Sequence, residues 1–263
     1  MAGSLAISGR ATTWPFTFRS IGASSRRAGR PRIAAGDENT GMSQPQDATA
    51  PDLLFALLPD SGIAPDGPDT LAPLAAALAA QYPRALVLHL HPPLRDAEGR
   101  CRWWPGASPD EAGVNAAVPH LIERLRFEAA RHGLPWQRVA LAGVGDGALL
   151  ALEAVQAEQA LVGRVLAFAG GYLARPESAP QDVCVHLLHG IADQRFPYRH
   201  VVDAAQALVD LGADVTADLL PHIDHSLHPA LIEKAMEQLR TFIPARLWRE
   251  ALIAAQENER PVG

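Results

Sequence analysis

The sequence predicts one α/β domain, over residues 52–245, in which a mostly parallel β-sheet carries helices on both faces. Short apolar runs alternate along the chain with stretches of about 10 to 20 residues whose apolar positions recur at helical spacing. The first run, LLFALL, is apolar throughout, which is typical of a strand that is buried on both faces. Strands that alternate with helices form βαβ units, and these units build parallel sheets.

The first half of the domain supplies three strands and two long helices. The first strand reads LLFALL, a continuous apolar run, and the second reads ALVLHL. An Ala- and Leu-rich helix lies between them, and a Pro- and Gly-rich loop over residues 92–111 follows the second strand. The next helix places its apolar residues at helical spacing and its charged residues opposite, and Gly133 and Pro135 end it. The elements predicted here are strands Leu53–Leu58, Ala85–Leu90 and Val139–Ala142, and helices Asp69–Gln81 and Ala112–His132.

The second half continues the same alternation. The run VCVHLL is its clearest strand, and the helices are recognised by the spacing of Val, Ala, Leu and Ile. Residues 246–263 are expected to form a C-terminal extension that begins as a helix and ends as a polar tail. The predicted strands are Val165–Ala169, Val183–Leu188 and Val215–Leu220, and the predicted helices are Gly147–Glu158, one marked by Val201–Val209, and Leu231–Phe242.

The composition excludes several classes of protein. With 48% hydrophobic and 20% charged residues and a mean hydropathy near zero, the chain is neither wholly disordered nor collagen-like. It contains no charge-free apolar run of about 18 residues, so we expect no integral membrane protein. Two cysteines, Cys101 and Cys184, provide no disulfide framework and favour a reducing, cytoplasmic compartment. A net charge of −6 gives nucleic-acid binding no electrostatic support.

The charge is unevenly distributed. Residues 1–41 carry six arginines and two acidic residues, a net charge of +4 that leaves −10 for the rest of the chain. This Arg-rich segment lacks the apolar core of a secretory signal. We expect residues 1–51 to be a disordered basic and polar tail, or in part sequence upstream of a true start at Met42. An organelle transit peptide is the alternative.

The segment Leu141–Ala148, which reads LAGVGDGA, follows the third predicted strand and begins a helix. A strand-to-helix turn with small residues two positions before and two after its centre has the spacing of a nucleophile elbow. Gly143 and Gly147 fit, but the central position is Gly145, so the hydroxyl is absent. A Gly-rich turn that binds phosphate at the helix N-terminus is the alternative for this stretch.

Two further loops follow later strands and supply the other groups of a catalytic triad. Asp193 lies in HGIADQRFP after VCVHLL, and His225 lies in LPHIDHSLH after the last strand. The order nucleophile, acid, histidine is that of α/β-hydrolases, in which the acid orients a histidine that acts as general base. Ligands bind at the carboxyl ends of parallel strands, where all three positions lie. The sequence therefore predicts the α/β-hydrolase fold.

These segments resemble the bacterial phospholipase/carboxylesterase family of small serine α/β-hydrolases, especially its esterase branch. The resemblance covers residues 52–255 and depends on LLHGIADQRFPY, GADVTADLLPHIDH, the RWW loop and FIPARLWREAL. It implies a monomer or homodimer that hydrolyses carboxylic esters or thioesters through an acyl-enzyme, without metal or cofactor. Its partner would be a small-molecule ester or acyl ligand. It also favours Trp103 and Trp104 as a wall of the substrate pocket, with loop packing as the alternative.

Two departures from the family pattern argue against catalysis. Gly145 replaces the serine, and Leu58-Pro59-Asp60-Ser61 stands where relatives have His-Gly in the loop that supplies one oxyanion-hole N–H. Pro59 has no N–H, and Asp60 and Asp146 place carboxylates in the oxyanion region. We therefore predict an impaired hydrolase, unless these carboxylates point away or pair with a cation such as Arg195. The alternative is a non-catalytic ligand-binding or interaction protein on the same scaffold.

Other residues give weaker candidates. Asp146, Ser61 and Ser226 are possible substitute nucleophiles, although Asp146 is one residue off register and Ser226 cannot easily face its neighbour His225. Several histidines have ligand-like spacing, but no matched carboxylates accompany them, so we predict no metal site. These histidines are His89, His91, His222, His225 and His228.

Overall fold

The computed structural model describes residues 5–8 and 50–258. Six strands form a parallel sheet in the order β9-β8-β7-β6-β2-β3, and β1 adds an antiparallel strand at the β9 edge. The parallel sheet confirms the predicted fold class. Its strands are β2 (Leu53–Leu58), β3 (Ala85–His89), β6 (Val139–Val144), β7 (Arg164–Phe168), β8 (Cys184–Gly190) and β9 (Asp214–Leu220), and β1 is Leu5–Ser8.

Helices cover both faces of the sheet. One apolar core includes residues of α2, α3 and α4, and a second includes residues of α1 and α5. Within the described residues, no helix is long and apolar enough to cross a bilayer. The helices are α1 (Ala72–Gln81), α2 (Glu111–Arg131), α3 (Asp146–Ala157), α4 (Tyr198–Asp210), α5 (Pro229–Thr241) and α6 (Ala245–Asn258).

Several elements differ from the sequence prediction, among them β6, which runs to Val144 rather than to Ala142. Helix α1 begins at Ala72 rather than at Asp69, because the Asp69 carboxylate accepts a hydrogen bond from the Leu71 N–H and holds a turn ahead of the helix. The loop over residues 92–111 contains a small hairpin of β4 (Leu94–Arg95) and β5 (Cys101–Arg102). Strand β8 runs two residues further than predicted, through the buried His189 to Gly190.

The predicted N-terminal tail is described at only a few positions. Leu5–Ser8 pairs antiparallel with β9, from Leu5 opposite Leu219 to Ser8 opposite Thr216, so these four residues are a strand rather than a disordered tail. The positions of the predicted tail numbered 1–4 and 9–49, Met42 among them, lie outside the described residues. The predicted C-terminal extension is helical over Ala245–Asn258.

Candidate active site

The turn between β6 and α3 has the geometry of a nucleophile elbow. Gly145 has φ 55° and ψ −118°, a conformation that L side chains rarely adopt. A Cβ on Gly143 would lie 2.3 Å from the Gly147 carbonyl oxygen, and a Cβ on Gly147 would lie 2.4 Å from the Leu58 carbonyl oxygen. Larger residues therefore cannot flank Gly145, as the sequence pattern predicts.

The Asp60 carboxylate occupies the space above this elbow. A Cβ on Gly145 would lie 2.4 Å from Asp60 Cγ and 2.8 Å from its Oδ2. The Ser61 N–H donates to Asp60 Oδ1 at 2.8 Å, and the Asp146 N–H donates to the same oxygen at 2.9 Å. These two N–H groups come from the residue after the elbow and from the loop after β2, the sources of an oxyanion hole in α/β-hydrolases. The Asp60 side chain thus binds the two N–H groups that the sequence predicts as an oxyanion hole.

Asp193 and His225, which the sequence predicts as partners, are in contact. Strand β8 and strand β9 are neighbours, and their carboxyl ends bring the two loops together. His225 Nδ1 lies 2.8 Å from Asp193 Oδ2. The other oxygen of Asp193 accepts hydrogen bonds from the N–H groups of Arg195 and Phe196 at 2.8 and 2.9 Å. Asp193 is 3% exposed, and these bonds fix its orientation.

The second ring nitrogen of His225 faces the elbow. His225 Nε2 lies 3.2 Å from Asp60 Oδ2, so the order along the site is Asp60, His225, Asp193. The buried His189, which sequence reasoning did not assign to the site, lies behind Asp193, with Nε2 3.5 Å from Asp193 Oδ2 and 2.7 Å from the Phe196 carbonyl oxygen. The sequence prediction ended the strand at Leu188 and placed His189 in the loop that follows, without a role in the site.

Arg195 pairs with both carboxylates of the oxyanion region. Its guanidinium forms an ion pair with Asp60 Oδ2 and donates to Asp146 Oδ1 at 2.8 Å. The Arg195 side chain is 42% exposed, whereas those of Asp60 and Asp146 are 20% and 6% exposed. The cation therefore covers the cluster from the solvent side, as the sequence analysis allowed.

The electrostatics of the cluster follow from these contacts. Burial opposes ionisation of Asp60, but the hydrogen bonds with His225 and the Asp146 N–H, with the charge of Arg195, bring its pKa below the usual value. Burial also disfavours the charged form of His225, yet its hydrogen bonds to Asp60 and Asp193 raise its pKa. Burial raises the pKa of Asp146. An imidazolium between two carboxylates is the state that satisfies both ring nitrogens.

Other predicted site residues take structural positions. Trp103 and Trp104 are 7% and 1% exposed and belong to the core between the sheet and α2. The Trp103 indole donates to the Pro59 carbonyl oxygen at 2.8 Å and supports the loop that carries Asp60. The Ser61 hydroxyl accepts from the Trp103 N–H at 3.5 Å. The structure therefore shows both tryptophans as packing residues, and a contact with substrate stays a prediction.

The histidines with ligand-like spacing are dispersed. His225 is held by the two carboxylates, and His228 caps α5 by accepting from the Ala230 N–H at 3.2 Å. His89 faces Asp69, with Nδ1 3.4 Å from Oδ2. The described part of the chain contains no group of three His, Cys, Asp or Glu side chains that could hold a metal ion.

Comparison with known proteins places this geometry in a family. A sequence profile of the phospholipase/carboxylesterase family matches residues 101–245. Esterase YpfH of Escherichia coli (strain K12) is 32% identical over 203 residues, which cover 75% of this chain and 87% of the relative. The chain belongs to the phospholipase/carboxylesterase family. This result confirms the family resemblance on which the sequence analysis relied.

Solved structures agree on the fold of this phospholipase/carboxylesterase family member. Esterase PE8 matches with a TM-score of 0.65 and 24% identity, and the match covers 74% of this chain and 94% of that one. A carboxylesterase from Mesorhizobium loti matches with a TM-score of 0.62 and 20% identity, over 72% and 89% of the two chains. At these identities the matches support the α/β-hydrolase fold.

The raised pKa of His225 gives a prediction that can be measured directly. In an NMR titration of the His225 ring protons, we expect a pKa above the ordinary histidine value of about 6.5. The stabilisation linked to this shift is complete below the unfolded pKa and is lost as the pH rises through the folded pKa. In Asp60→Asn the His225 pKa should fall, because one of its two carboxylate partners is gone. An unchanged pKa would contradict the contact between His225 and Asp60.

Proposed function

We propose that this chain is a carboxylesterase-type α/β-hydrolase whose hydrolysis of carboxylic esters and thioesters through a serine acyl-enzyme is strongly impaired. The observation that carries the proposal is the Asp60 carboxylate, which fills the space of the nucleophile side chain and the oxyanion hole at the same time. Gly145 provides no hydroxyl to form an acyl-enzyme. His225 and Asp193 keep the arrangement of a general base and the acid that orients it.

The magnitudes of the two losses support strong impairment. Removing the nucleophilic serine of a serine protease lowers kcat by about 10⁶-fold. Removing one donor of an oxyanion hole lowers it by about 10²- to 10³-fold, and here both N–H groups are already bound to Asp60 Oδ1. A water molecule activated by His225 would therefore act without the electrostatic stabilisation that such reactions need.

The test is hydrolysis of p-nitrophenyl acetate and butyrate by the full chain. We expect a rate within about 10-fold of that of His225→Ala, since the histidine contributes little without a nucleophile and a free hole. A fluorophosphonate probe, which requires an activated serine, should leave the protein unlabelled. Robust turnover that His225→Ala abolishes would overturn the proposal.

A non-catalytic ligand-binding protein is the second candidate, and a separate cleft favours it. The cleft has a volume of about 520 Å³ and is lined by residues that include Val114, Glu153, Tyr172 and Arg175. This volume is in the range of small-molecule sites. Saturable binding of a short-chain acyl ligand, lost in a variant that fills the cleft from its exposed lining residue Asn115, Asn115→Trp, and retained in Asp60→Asn, would favour this function over an impaired esterase.

A further inference from the structure

We propose that Asp60 is itself a nucleophile, supplied by the loop after β2 in place of an elbow serine, and that it takes alkyl electrophiles. The substrate class is a primary alkyl group with a leaving group that departs as a stable anion, such as a halide. This activity goes beyond the impaired ester hydrolysis proposed above, because it concerns a different bond and a different covalent intermediate.

The position of the Asp60 carboxylate carries the argument. Its Oδ2 is 2.8 Å from the Cβ that a residue at position 145 would have, and 3.2 Å from His225 Nε2. The carboxylate is already an anion and needs no base in order to attack, and His225, which Asp193 orients, is placed to serve the later hydrolysis. The side chain is 20% exposed, and the more exposed Arg195 side chain that covers it moves aside when a small substrate reaches Oδ2. Its lowered pKa keeps it ionised at neutral pH.

The occupied oxyanion hole selects alkyl over acyl substrates. Attack on an ester carbonyl would place the negative charge on a substrate oxygen, but the N–H groups of Ser61 and Asp146 already bind Asp60 Oδ1. Attack on a saturated carbon forms no oxyanion and needs no hole. The hole is needed only afterwards, when an ester of Asp60 is hydrolysed, and the oxyanion then forms on the Oδ1 atom that lies in it.

In the first step, Oδ2 donates an electron pair to the alkyl carbon, and the bond from carbon to the leaving group breaks. The leaving group departs with its electron pair as an anion, and Asp60 becomes a neutral alkyl ester. Arg195 loses its ion pair with Asp60 in this step. Its guanidinium also binds Asp146 Oδ1 and its side chain is 42% exposed, so it is available to pair with the departing anion.

In the second step, water attacks Asp60 Cγ while His225 Nε2 takes a proton from the water. The negative charge develops on Oδ1, between the two N–H donors. Collapse expels the alcohol oxygen, which takes the proton from His225. Asp60 is left as a carboxylic acid, and its proton passes to His225, which restores the carboxylate and the imidazolium. The balance is one alkyl halide and one water giving one alcohol, one halide ion and one proton.

The same charges explain how His225 becomes a base at the right stage. While Asp60 is ionised, the carboxylates on both sides of His225 favour the imidazolium, despite the guanidinium of Arg195 3.2 Å away. Esterification removes the charge of Asp60. His225 then retains only Asp193 as an anionic partner, so its pKa falls and it releases its proton to solvent. The neutral ring can accept the proton of the attacking water.

The experiment follows oxygen and halide in the full-length protein. Wild type is incubated with 1-bromobutane in ¹⁸O-labelled water, bromide release is measured, and mass spectrometry locates the label. With the protein in excess over 1-bromobutane, so that each site turns over at most once, we expect ¹⁸O in the Asp60 carboxylate and unlabelled butanol. In His225→Ala we expect a butyl ester on Asp60, with hydrolysis of that ester slower by about 10²- to 10⁴-fold.

Matched variants and alternative results decide the matter. Asp60→Asn should release bromide at the rate without enzyme, and Asp66→Asn, an exposed carboxylate in the same loop, should behave like wild type. The proposal is overturned if the folded wild type releases no bromide from any primary alkyl bromide between bromoethane and 1-bromohexane and, in addition, His225→Ala carries no ester. It is also overturned if the ¹⁸O label enters Asp146 instead of Asp60. These outcomes leave the p-nitrophenyl ester result standing, so the two proposals can fail separately.

Discussion

The double variant Gly145→Ser, Asp60→Gly is expected to hydrolyse p-nitrophenyl butyrate at least about 10³-fold faster than the wild type. The serine supplies the hydroxyl, and removal of the Asp60 carboxylate frees the N–H groups of Ser61 and Asp146 for the substrate oxyanion. Neither change is sufficient alone. In Gly145→Ser, the new Cβ would lie 2.4 Å from Asp60 Cγ, and in Asp60→Gly there is still no nucleophile.

A matched control for this rescue is Gly145→Ala, Asp60→Gly. It introduces the same Cβ at a position with φ 55° and therefore carries the same backbone strain, on the order of 1–3 kcal/mol, but no hydroxyl. It should remain inert. Adding His225→Ala to the serine double variant should return the rate to background, and a fluorophosphonate should label only the variant with Ser at position 145 and an intact His225. A folded serine double variant without activity would mean that the site lacks more than its nucleophile and its hole.

Much of the site could be predicted from the sequence, because its parts follow strands. Gly145, Asp193 and His225 each lie directly after an apolar run, and the carboxyl ends of parallel strands share one edge of the sheet. The 2.8 Å contact between Asp193 and His225 was therefore expected from chain order and strand context. The Gly143 and Gly147 positions were also predictable, since the turn leaves no room for a Cβ.

The direction of the Asp60 side chain was not predictable in the same way. The sequence places a carboxylate in the oxyanion region, but whether it points into the hole depends on the loop geometry. That geometry is set by contacts distant in sequence, such as the hydrogen bond from the Trp103 indole to the Pro59 carbonyl oxygen. The hairpin of β4 and β5 was missed for a related reason. It is held by ion pairs of Asp96 with Arg100 and Arg102. Such polar contacts produce no regular spacing of apolar residues from which a hairpin could be predicted.

Arg195→Leu is expected to lower the free energy of unfolding by about 1–3 kcal/mol at pH 7, because it leaves Asp146 without its cation and Asp60 with only the His225 imidazolium as a partner. Asp146 is only 6% exposed in its side chain, so its charge is screened little by solvent. The exposed fraction of Arg195, 42%, keeps the expected loss below that of a fully buried pair. The measurement is urea denaturation of the wild type and the variant between pH 3 and 8.

The pH dependence separates this electrostatic cause from lost packing. The pKa of Asp60 is lowered in the folded protein, so its stabilisation is present above the unfolded pKa of about 3.9 and is lost as the pH falls through the folded pKa. The difference in the free energy of unfolding between wild type and Arg195→Leu should therefore shrink in acid, where protonated carboxylates need no cation.

Two further variants test the same cause. Asp146→Asn in the Arg195→Leu background should recover part of the lost free energy of unfolding. Arg199→Leu, an exposed arginine on α4, should change stability by less than about 0.5 kcal/mol. A loss of equal size at pH 3 and pH 7 would instead assign the role of Arg195 to packing, and would remove the reason for a cation beside Asp60.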